Sequence, residues 1–145
     1  MLIVAVAQSI YFLRDEIVIY YPNARPTLVK ACQQLACSVN LPKQIERIVI
    51  DDSDIQEDTN YEGLMHLSSS LINQAEFNQA YPNLELTLTD IKDNPILRRL
   101  FKPSEYLPTG ADLATGFNAG ETINIKLAIT TPDTPVAGYR VFVTY

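Results

Sequence analysis

The chain has two cysteines, Cys32 and Cys37, whose spacing bears on both redox chemistry and cross-linking. Redox enzymes use the shorter Cys-x-x-Cys spacing, so a catalytic dithiol is disfavoured. Residues five apart in a regular helix lie about 8–9 Å apart at Cα, beyond the limit of roughly 7 Å for a disulfide. A bridge requires the helix to end near residues 35–36, and Ser38 and Pro42 favour that ending. We predict a disulfide in an oxidising compartment, with two buried thiols of a cytosolic protein as the alternative.

An acidic run over residues 51–62 contains no basic residue. Neighbouring carboxylates such as those of Asp51, Asp52 and Asp54 can chelate Ca²⁺ from a loop, but the Asp-x-Asp-x-Asp-Gly pattern is not completed. Like charges at a strand end more often form a solvated edge that discourages pairing with other chains. We therefore interpret the run as a solvated edge and keep a weak calcium site as the alternative.

His66 is the only histidine of the chain. A structural zinc needs four nitrogen or sulfur ligands, which two cysteines and one distant histidine do not provide. His66 alternates with the apolar Met65 and Leu67, so we expect it to face solvent. A catalytic triad would depend on this one residue. We predict no catalytic residues, no metal and no cofactor. The alternative, an enzyme or small-ligand carrier, requires a pocket that joins His66 to the acidic run.

Two features could form a surface for a protein partner. The first is a basic cluster of Arg98, Arg99 and Lys102, which could instead pair with the acidic run, in the same chain or in a neighbouring molecule. The second is a long loop over residues 103–120, since loops on rigid strands often carry binding residues. Its apolar side chains either contact a partner or, as we favour, form a lid over the open end of the domain: Tyr106, Leu107, Leu113 and Phe117.

The elements that must position these residues fall into three parts. Residues 1–13 carry no charge, are too short to cross a bilayer, which takes about 20 apolar residues, and lack the positive start of a secretory signal. We interpret residues 1–21 as a juxtamembrane helix, the outer half of a membrane span whose inner half precedes Met1. A buried helix of a soluble protein and a signal-like segment are the alternatives.

Residues 22–40 are predicted to hold a short amphipathic helix. Pro26 suits the first helical position, where its missing N–H costs nothing. Leu28, Cys32 and Leu35 then form one apolar stripe at helical spacing. Such a helix must pack on the domain that follows it.

Residues 41–145 change to the period-two alternation of half-buried strands. The alternation is clear in Leu84–Thr89, Ile123–Ile129 and Tyr139–Tyr145, and no helical period separates the strands. Consecutive strands without crossover helices pair antiparallel and bury their apolar faces together. We predict a mainly β fold, an immunoglobulin- or fibronectin-like antiparallel β-sandwich preceded by an N-terminal helical segment. The Cys…Trp…Cys signature of true immunoglobulin domains is absent, because the chain has no Trp.

The composition excludes one class of partner. A net charge of −6 and a pI near 4.6 disfavour binding to a phosphate backbone, so no nucleic-acid partner is expected. With 145 residues, the chain is long enough for one domain with a core of its own.

Several stretches stand out when read together: Tyr21-Pro22, Arg25-Pro26, the two cysteines, Leu41-Pro42 and Ile50–Gln56. Two longer stretches, Ala80–Asp90 and Phe101–Leu107, are the most specific. Together they resemble the C-terminal region of proteobacterial single-span proteins that carry the domain of unknown function 3426, and the resemblance covers essentially the whole chain.

The resemblance implies a cytoplasmic N-terminal zinc ribbon, one span of the bacterial inner membrane and a periplasmic sandwich domain. The ribbon is missing here, so no zinc-binding residues carry over, and the family brings no activity. We expect a non-catalytic, membrane-tethered interaction or structural module whose protein partner lies in the cell envelope. The alternatives are an envelope domain that binds a small ligand or calcium, and an architectural spacer for a cytoplasmic zinc-ribbon sensor.

Overall fold

Six strands follow the period-two alternation, and the computed structural model describes all 145 residues, Met1–Tyr145. The strands are β1 (Ile48–Glu57), β2 (Leu64–Asn73), β3 (Asn83–Thr89), β4 (Pro95–Phe101), β5 (Thr122–Thr130) and β6 (Gly138–Thr144). They form two three-stranded sheets with the orders β1-β2-β5 and β4-β3-β6. Every pairing is antiparallel.

The buried faces of both sheets contribute to one hydrophobic core. Leu67 and Leu71 of β2 are fully buried, as are Leu84, Leu86 and Leu88 of β3. Ile125 and Ile129 of β5 and Phe101 of β4 complete the contact between the sheets. The predicted fold class, mainly β with antiparallel sheets after an N-terminal helical segment, is therefore confirmed. The finer assignment to the immunoglobulin or fibronectin folds stays a prediction.

The N-terminal helical segment, residues 1–37, contains three helices: α1 (Leu2–Phe12), α2 (Arg14–Tyr20) and α3 (Arg25–Gln34). A short 3₁₀ turn, Pro22–Ala24, joins α2 to α3, and Pro26 occupies the first turn of α3 as predicted. Val18 of α2 and Cys32 of α3 are buried, whereas α1 has no buried residue.

No helix in the structure combines the length and the apolar character that crossing a membrane requires.

The end of α3 brings the two cysteines together. The helix stops at Gln34, and Ala36 adopts a positive φ of 53°, which turns the chain back on itself. The Cα atoms of Cys32 and Cys37 are then 4.7 Å apart, and the two residues form a disulfide. The predicted position of Leu35 on the buried stripe was wrong, because the helix ends before it and leaves its side chain 72% exposed.

Candidate functional site

The loop over residues 103–120 is folded onto the sandwich. A short helix, α4 (Pro103–Tyr106), begins it. The Tyr106 hydroxyl donates a hydrogen bond of 2.5 Å to the carbonyl of Pro82, and burial raises the pKa of Tyr106. Phe117 is fully buried and stacks on Tyr81 with ring centroids 5.4 Å apart. Of the two alternatives for this loop, the favoured one, a lid over the core, describes Tyr106 and Phe117, which are buried and do not lie on an exposed partner surface.

The other two loop residues lie nearer the surface. Leu107 is half-buried against the core, and Leu113 is exposed. Leu113 is thus the one apolar side chain of the predicted set that this loop presents freely to solvent.

Two buried amides hold the lid in place, and neither was predicted from the sequence. The Nδ2 of Asn73 donates to the carbonyls of Phe77, Phe117 and Asn118, and its Oδ1 accepts from Ala75 N–H and from Gln79 Nε2. Asn73 and Gln79 are both fully buried. Buried amides at a strand end look like ordinary turn residues in a sequence, so only the tertiary contacts identify them.

Gln79 extends this amide network to the last residue of the chain. Its Oε1 accepts hydrogen bonds from Gln44 N–H at 2.9 Å and from the Tyr145 hydroxyl at 3.2 Å. Burial raises the pKa of Tyr145 to about 12. The network therefore joins the lid, the segment before β1 and the end of β6.

His66 lies on the surface, as predicted, beside one carboxylate of the acidic run. Its Nε2 is 2.8 Å from Oδ2 of Asp58, while Oδ1 of Asp58 accepts the backbone N–H groups of Asn60 and Tyr61. These hydrogen bonds, the one from His66 foremost, hold the pKa of Asp58 below its ordinary value. The arrangement fixes the turn between β1 and β2.

The acidic residues proposed for calcium do not share one place. The register between β1 and β2 shifts between Ile50 and Asp52, so Asp51 lies at an irregularity of β1. Asp52 and Asp54 border a cavity of about 140 Å³ on the outer face of the first sheet, together with Ser68, Ser70, Asn124 and Lys126. The structure places His66 outside that cavity. No three His, Cys, Asp or Glu side chains cluster so that they could hold a metal ion.

The basic cluster pairs with carboxylates near it in space. Arg98 donates two hydrogen bonds, of 3.0 and 2.9 Å, to Glu85 on the neighbouring strand, and these bonds raise the pKa of Arg98. Arg99 lies 3.6 Å from Glu105 and over the ring of Phe101. Within the chain, the arginines therefore pair with Glu85 and Glu105 and not with the acidic run over residues 51–62. Lys102 is exposed at the end of the strand.

The outer face of the second sheet exposes two large apolar side chains in its two edge strands, β4 and β6. Glu85 of β3 lies opposite Leu100 of β4 and opposite Phe142 of β6. Leu100 is 46% exposed and Phe142 is 56% exposed. In the next row, Thr87 lies between Arg98 and Arg140, and Arg140 pairs with Asp93. We call Leu100, Phe142, Arg98 and Arg140 the outer patch.

The helical segment contacts the rest of the chain through polar groups that follow α1. The Nε of Arg14 donates to the carbonyl of Ser38 at 2.8 Å, and Asp15 accepts the N–H of Asn40 at 3.2 Å. Arg25 of α3 donates to the carbonyl of Ala114 at 3.2 Å. Arg14 and Asp15 therefore fix α2, and Arg25 fixes α3. Of α1, only the last turn meets these residues, since the carbonyl of Tyr11 accepts a hydrogen bond of 2.7 Å from Nη1 of Arg14.

The comparisons with known proteins support one family. A family model with the description "Protein of unknown function (DUF3426)" matches residues 45–143. The match covers both sheets, except the last residue of β6, and excludes the three N-terminal helices. No curated protein and no solved structure matches the chain.

Proposed function

Because this chain belongs to the family of proteins of unknown function DUF3426, which carries no activity to transfer, we propose its function from its surfaces. We propose a non-catalytic interaction module of the bacterial cell envelope. Its helical segment contacts the inner membrane, and its sandwich lies in the periplasm and binds a protein partner.

The observation that carries the membrane contact is the surface of α1. Every residue from Met1 to Leu13 is exposed, and none of them is charged. Contiguous exposed apolar surface of this kind marks a protein or membrane contact. Tyr11 and Phe12 at the end of α1 are aromatic side chains of the type that collects at the headgroup level.

The disulfide supports an address outside the cytoplasm. Cys32 and Cys37 are bonded to each other, and the chain has no free cysteine. Disulfides persist in oxidising compartments such as the bacterial periplasm and are rare in the cytosol. The bridge closes the helical segment just before the chain enters the sandwich, where it would stabilise a membrane-proximal base.

The outer patch supports the partner contact. Aromatic side chains and arginine are enriched in protein interfaces, and lysine and glutamate are depleted. The patch presents Phe142 and Leu100 beside Arg98 and Arg140 on a rigid sheet. The outer face of the first sheet instead presents Asp52, Ser68, Ser70, Asn124 and Lys126. The apolar character is thus concentrated on one side of the sandwich.

Flotation with lipid vesicles tests the membrane contact. The purified chain is mixed with neutral phosphatidylcholine vesicles, because anionic lipid would repel a chain with a net charge of −6. We expect the protein to float with the vesicles, and raising the salt concentration to 0.5 M should not release it. A triple variant of α1, Ile3→Asp/Val6→Asp/Ile10→Asp, should remain at the bottom of the gradient.

Ile91→Asp is the matched control, since Ile91 is exposed but lies in the turn between β3 and β4. This variant should float like the unmodified chain. Flotation of the triple variant, or equal loss in the control, would contradict the membrane contact. Thiol trapping in intact cells tests the periplasmic address independently. Cys32 and Cys37 found as free thiols would contradict it.

A further inference from the structure

The strand β5 is an edge strand with one side of its backbone unpaired. It bonds to β2 alone, in one continuous register from Thr122 to Thr130. Just before β5, the carbonyl of Glu121 accepts the N–H of Asn73. Just after it, the N–H of Thr131 donates to the carbonyl of Gly63. Both bonds use odd-numbered residues, and antiparallel bonding alternates along a strand, so the odd residues of β5 face β2.

The even-numbered residues of β5 therefore direct their backbone N–H and C=O groups to the open edge: Thr122, Asn124, Lys126, Ala128 and Thr130. All five residues are exposed, and no other segment of the chain bonds to their backbone. The short helix α4 lies near β5 but forms no backbone hydrogen bond with it. An exposed row of unpaired backbone groups of this kind is a template for another strand.

The other edges of the sandwich carry features that blunt them, which β5 lacks. The strand β1 is irregular at Asp51, and the Tyr139 hydroxyl of β6 donates to the carbonyl of Ser53 at 2.6 Å. This bond joins the edge strands β1 and β6 to each other. The strand β4 begins with Pro95, beside a shift in its register with β3. Proline, bulges and covering contacts discourage pairing with other chains, whereas β5 has no proline, no register shift and a single charge.

The sequence of β5 is self-complementary in one antiparallel register. If two copies of β5 pair about Ile125, Asn124 of each copy lies opposite Lys126 of the other, and all four residues present bonding groups to the shared edge. The carboxamide oxygen can then accept a hydrogen bond from the ammonium. On the inner face, the half-buried Ile123 of each copy lies opposite the half-buried Leu127 of the other. Pairing about Lys126 would instead place two ammonium groups opposite each other, which is destabilising.

The charges of the neighbouring strand agree with this register. Across the first sheet, the row that contains Lys126 begins at Asp54 of β1. The row that contains Asn124 begins at Asp52. These rows join when two copies pair about Ile125, so each joined row carries one ammonium between two carboxylates.

We propose that two copies of this chain pair antiparallel through β5, about Ile125, and form one six-stranded sheet. The contact involves neither α1 nor the outer patch, so it stands apart from the function proposed above. A strip of two paired strands is smaller than a standard protein interface, so the dimer is weak, with a Kd on the order of 100 µM.

Sedimentation velocity on the full oxidised chain tests the dimer. We expect the 16.3 kDa monomer at micromolar concentration, where unfolding is also measured, and mainly a dimer of twice that mass well above the Kd. The Ile3→Asp/Val6→Asp/Ile10→Asp variant should dimerise equally, because α1 is not in the contact. A chain that stays monomeric at about five times the expected Kd, or a dimer that this variant loses, would overturn the proposal.

Charge substitutions at Asn124 test the register. Asn124→Asp places a carboxylate opposite Lys126 of the second copy, and Asn124→Lys places a second ammonium there. Each dimer contains two such pairs, so we expect the Kd to fall about two- to thirtyfold in the first variant and to rise by a similar factor in the second. Net charge alone predicts the reverse order, since the acidic chain becomes more negative in the first variant and less negative in the second. The reverse order, or no change in either variant, would overturn the proposal.

Cysteine cross-linking reports the register directly. Opposite residues of a hydrogen-bonded antiparallel pair have Cα atoms about 5.5 Å apart, within the range of disulfides. Asn124→Cys mixed with Lys126→Cys should therefore form an interchain disulfide faster than either variant alone. Faster cross-linking of Lys126→Cys with itself, or no cross-link in the mixture, would overturn the proposal.

A proline tests whether the backbone of β5 forms the contact. The N–H of Lys126 faces away from β2, so Lys126→Pro removes no bond of the sheet, and a free edge is where strands tolerate proline. We expect this variant to stay monomeric at the highest concentration, whereas Lys126→Gln, which keeps the N–H, should still dimerise. A dimer of Lys126→Pro would overturn the proposal. If that variant unfolds, the charge substitutions at Asn124 decide the question.

Discussion

The buried amide of Asn73 holds the lid through hydrogen bonds to its backbone at Phe117 and Asn118. At the end of β2, the side-chain amide of Asn73 donates from its Nδ2 to three carbonyls and accepts from two donors at its Oδ1. The carbonyls lie in two separate loops, at Phe77 after β2 and at Phe117–Asn118 in the lid. This side chain therefore links two loops that are also joined by backbone hydrogen bonds between Gln79 and Phe117.

Asn73→Ala tests this role. The substitution leaves several buried backbone groups and the Gln79 amide without partners, and each such loss costs about 1–3 kcal/mol. We expect the free energy of unfolding to fall by about 3 kcal/mol in a urea titration.

The matched control is Asn124→Ala, on the exposed face of β5. Asn124 accepts one hydrogen bond from Ser70 at the surface, so its loss should change the free energy of unfolding by about 0.5 kcal/mol or less. Equal effects of the two substitutions would contradict the role given to Asn73.

At the scale of elements, the disulfide acts on the helical segment alone. It links Cys32 of α3 to a residue five positions later and reaches neither sheet. The loop that it closes is short, for which chain entropy gives about 2 kcal/mol of stabilisation. That contribution belongs to the last turn of α3.

Hydrogen exchange tests whether the disulfide stabilises only the end of α3. In the Cys32→Ala/Cys37→Ala variant, amides of residues 30–37 should exchange faster than in the oxidised chain, while those of β2 and β3 keep their rates. The unmodified chain reduced with dithiothreitol should behave as the variant does. Faster exchange in the strands as well would indicate that the bridge supports the whole molecule and would contradict a local role.

The elements also separate what a sequence can predict from what it cannot. Strands β2, β3 and β5 follow from alternation because one residue in two must face the core, a rule that acts locally. The disulfide could be predicted because the chain has two cysteines, and their five-residue spacing permits a bridge once the helix ends near Leu35. Leu35 itself was misplaced because whether it is buried depends on a helix end that shifts by one or two residues.

The site residues were harder to predict because they depend on contacts across the fold. Tyr106 and Phe117 lie in a loop with no periodicity, so nothing local indicates that they are buried. The outward position of Phe142 follows from alternation in β6, but its place in one row with Leu100, on either side of Glu85, depends on the register of three strands.

For the whole molecule, the two outer faces of the sandwich differ in chemistry. The first sheet presents carboxylates and hydroxyls, and the second presents the outer patch. Photo-crosslinking in the native envelope tests which face binds a partner. A benzoylphenylalanine at position 142 should give a discrete cross-linked protein, because Phe142 projects from the patch.

Tyr61 supplies the control position, since it is exposed in the turn that joins β1 to β2, on the other sheet. A benzoylphenylalanine there should give no discrete product. Cross-linked products from position 61 alone would indicate that the partner binds near the turn between β1 and β2 of the first sheet and would contradict a contact at the outer patch. Products from neither position would favour a spacer that holds its neighbours apart.

A cleft of about 550 Å³ between the helical segment and the sandwich bears on how firmly the two parts are joined. Its walls come from both parts, which form hydrogen bonds with each other at Arg14, Asp15 and Arg25. Because the cleft leaves much of this boundary without direct contacts, the helical segment should separate from the sandwich at a lower free-energy cost than a strand leaves its sheet.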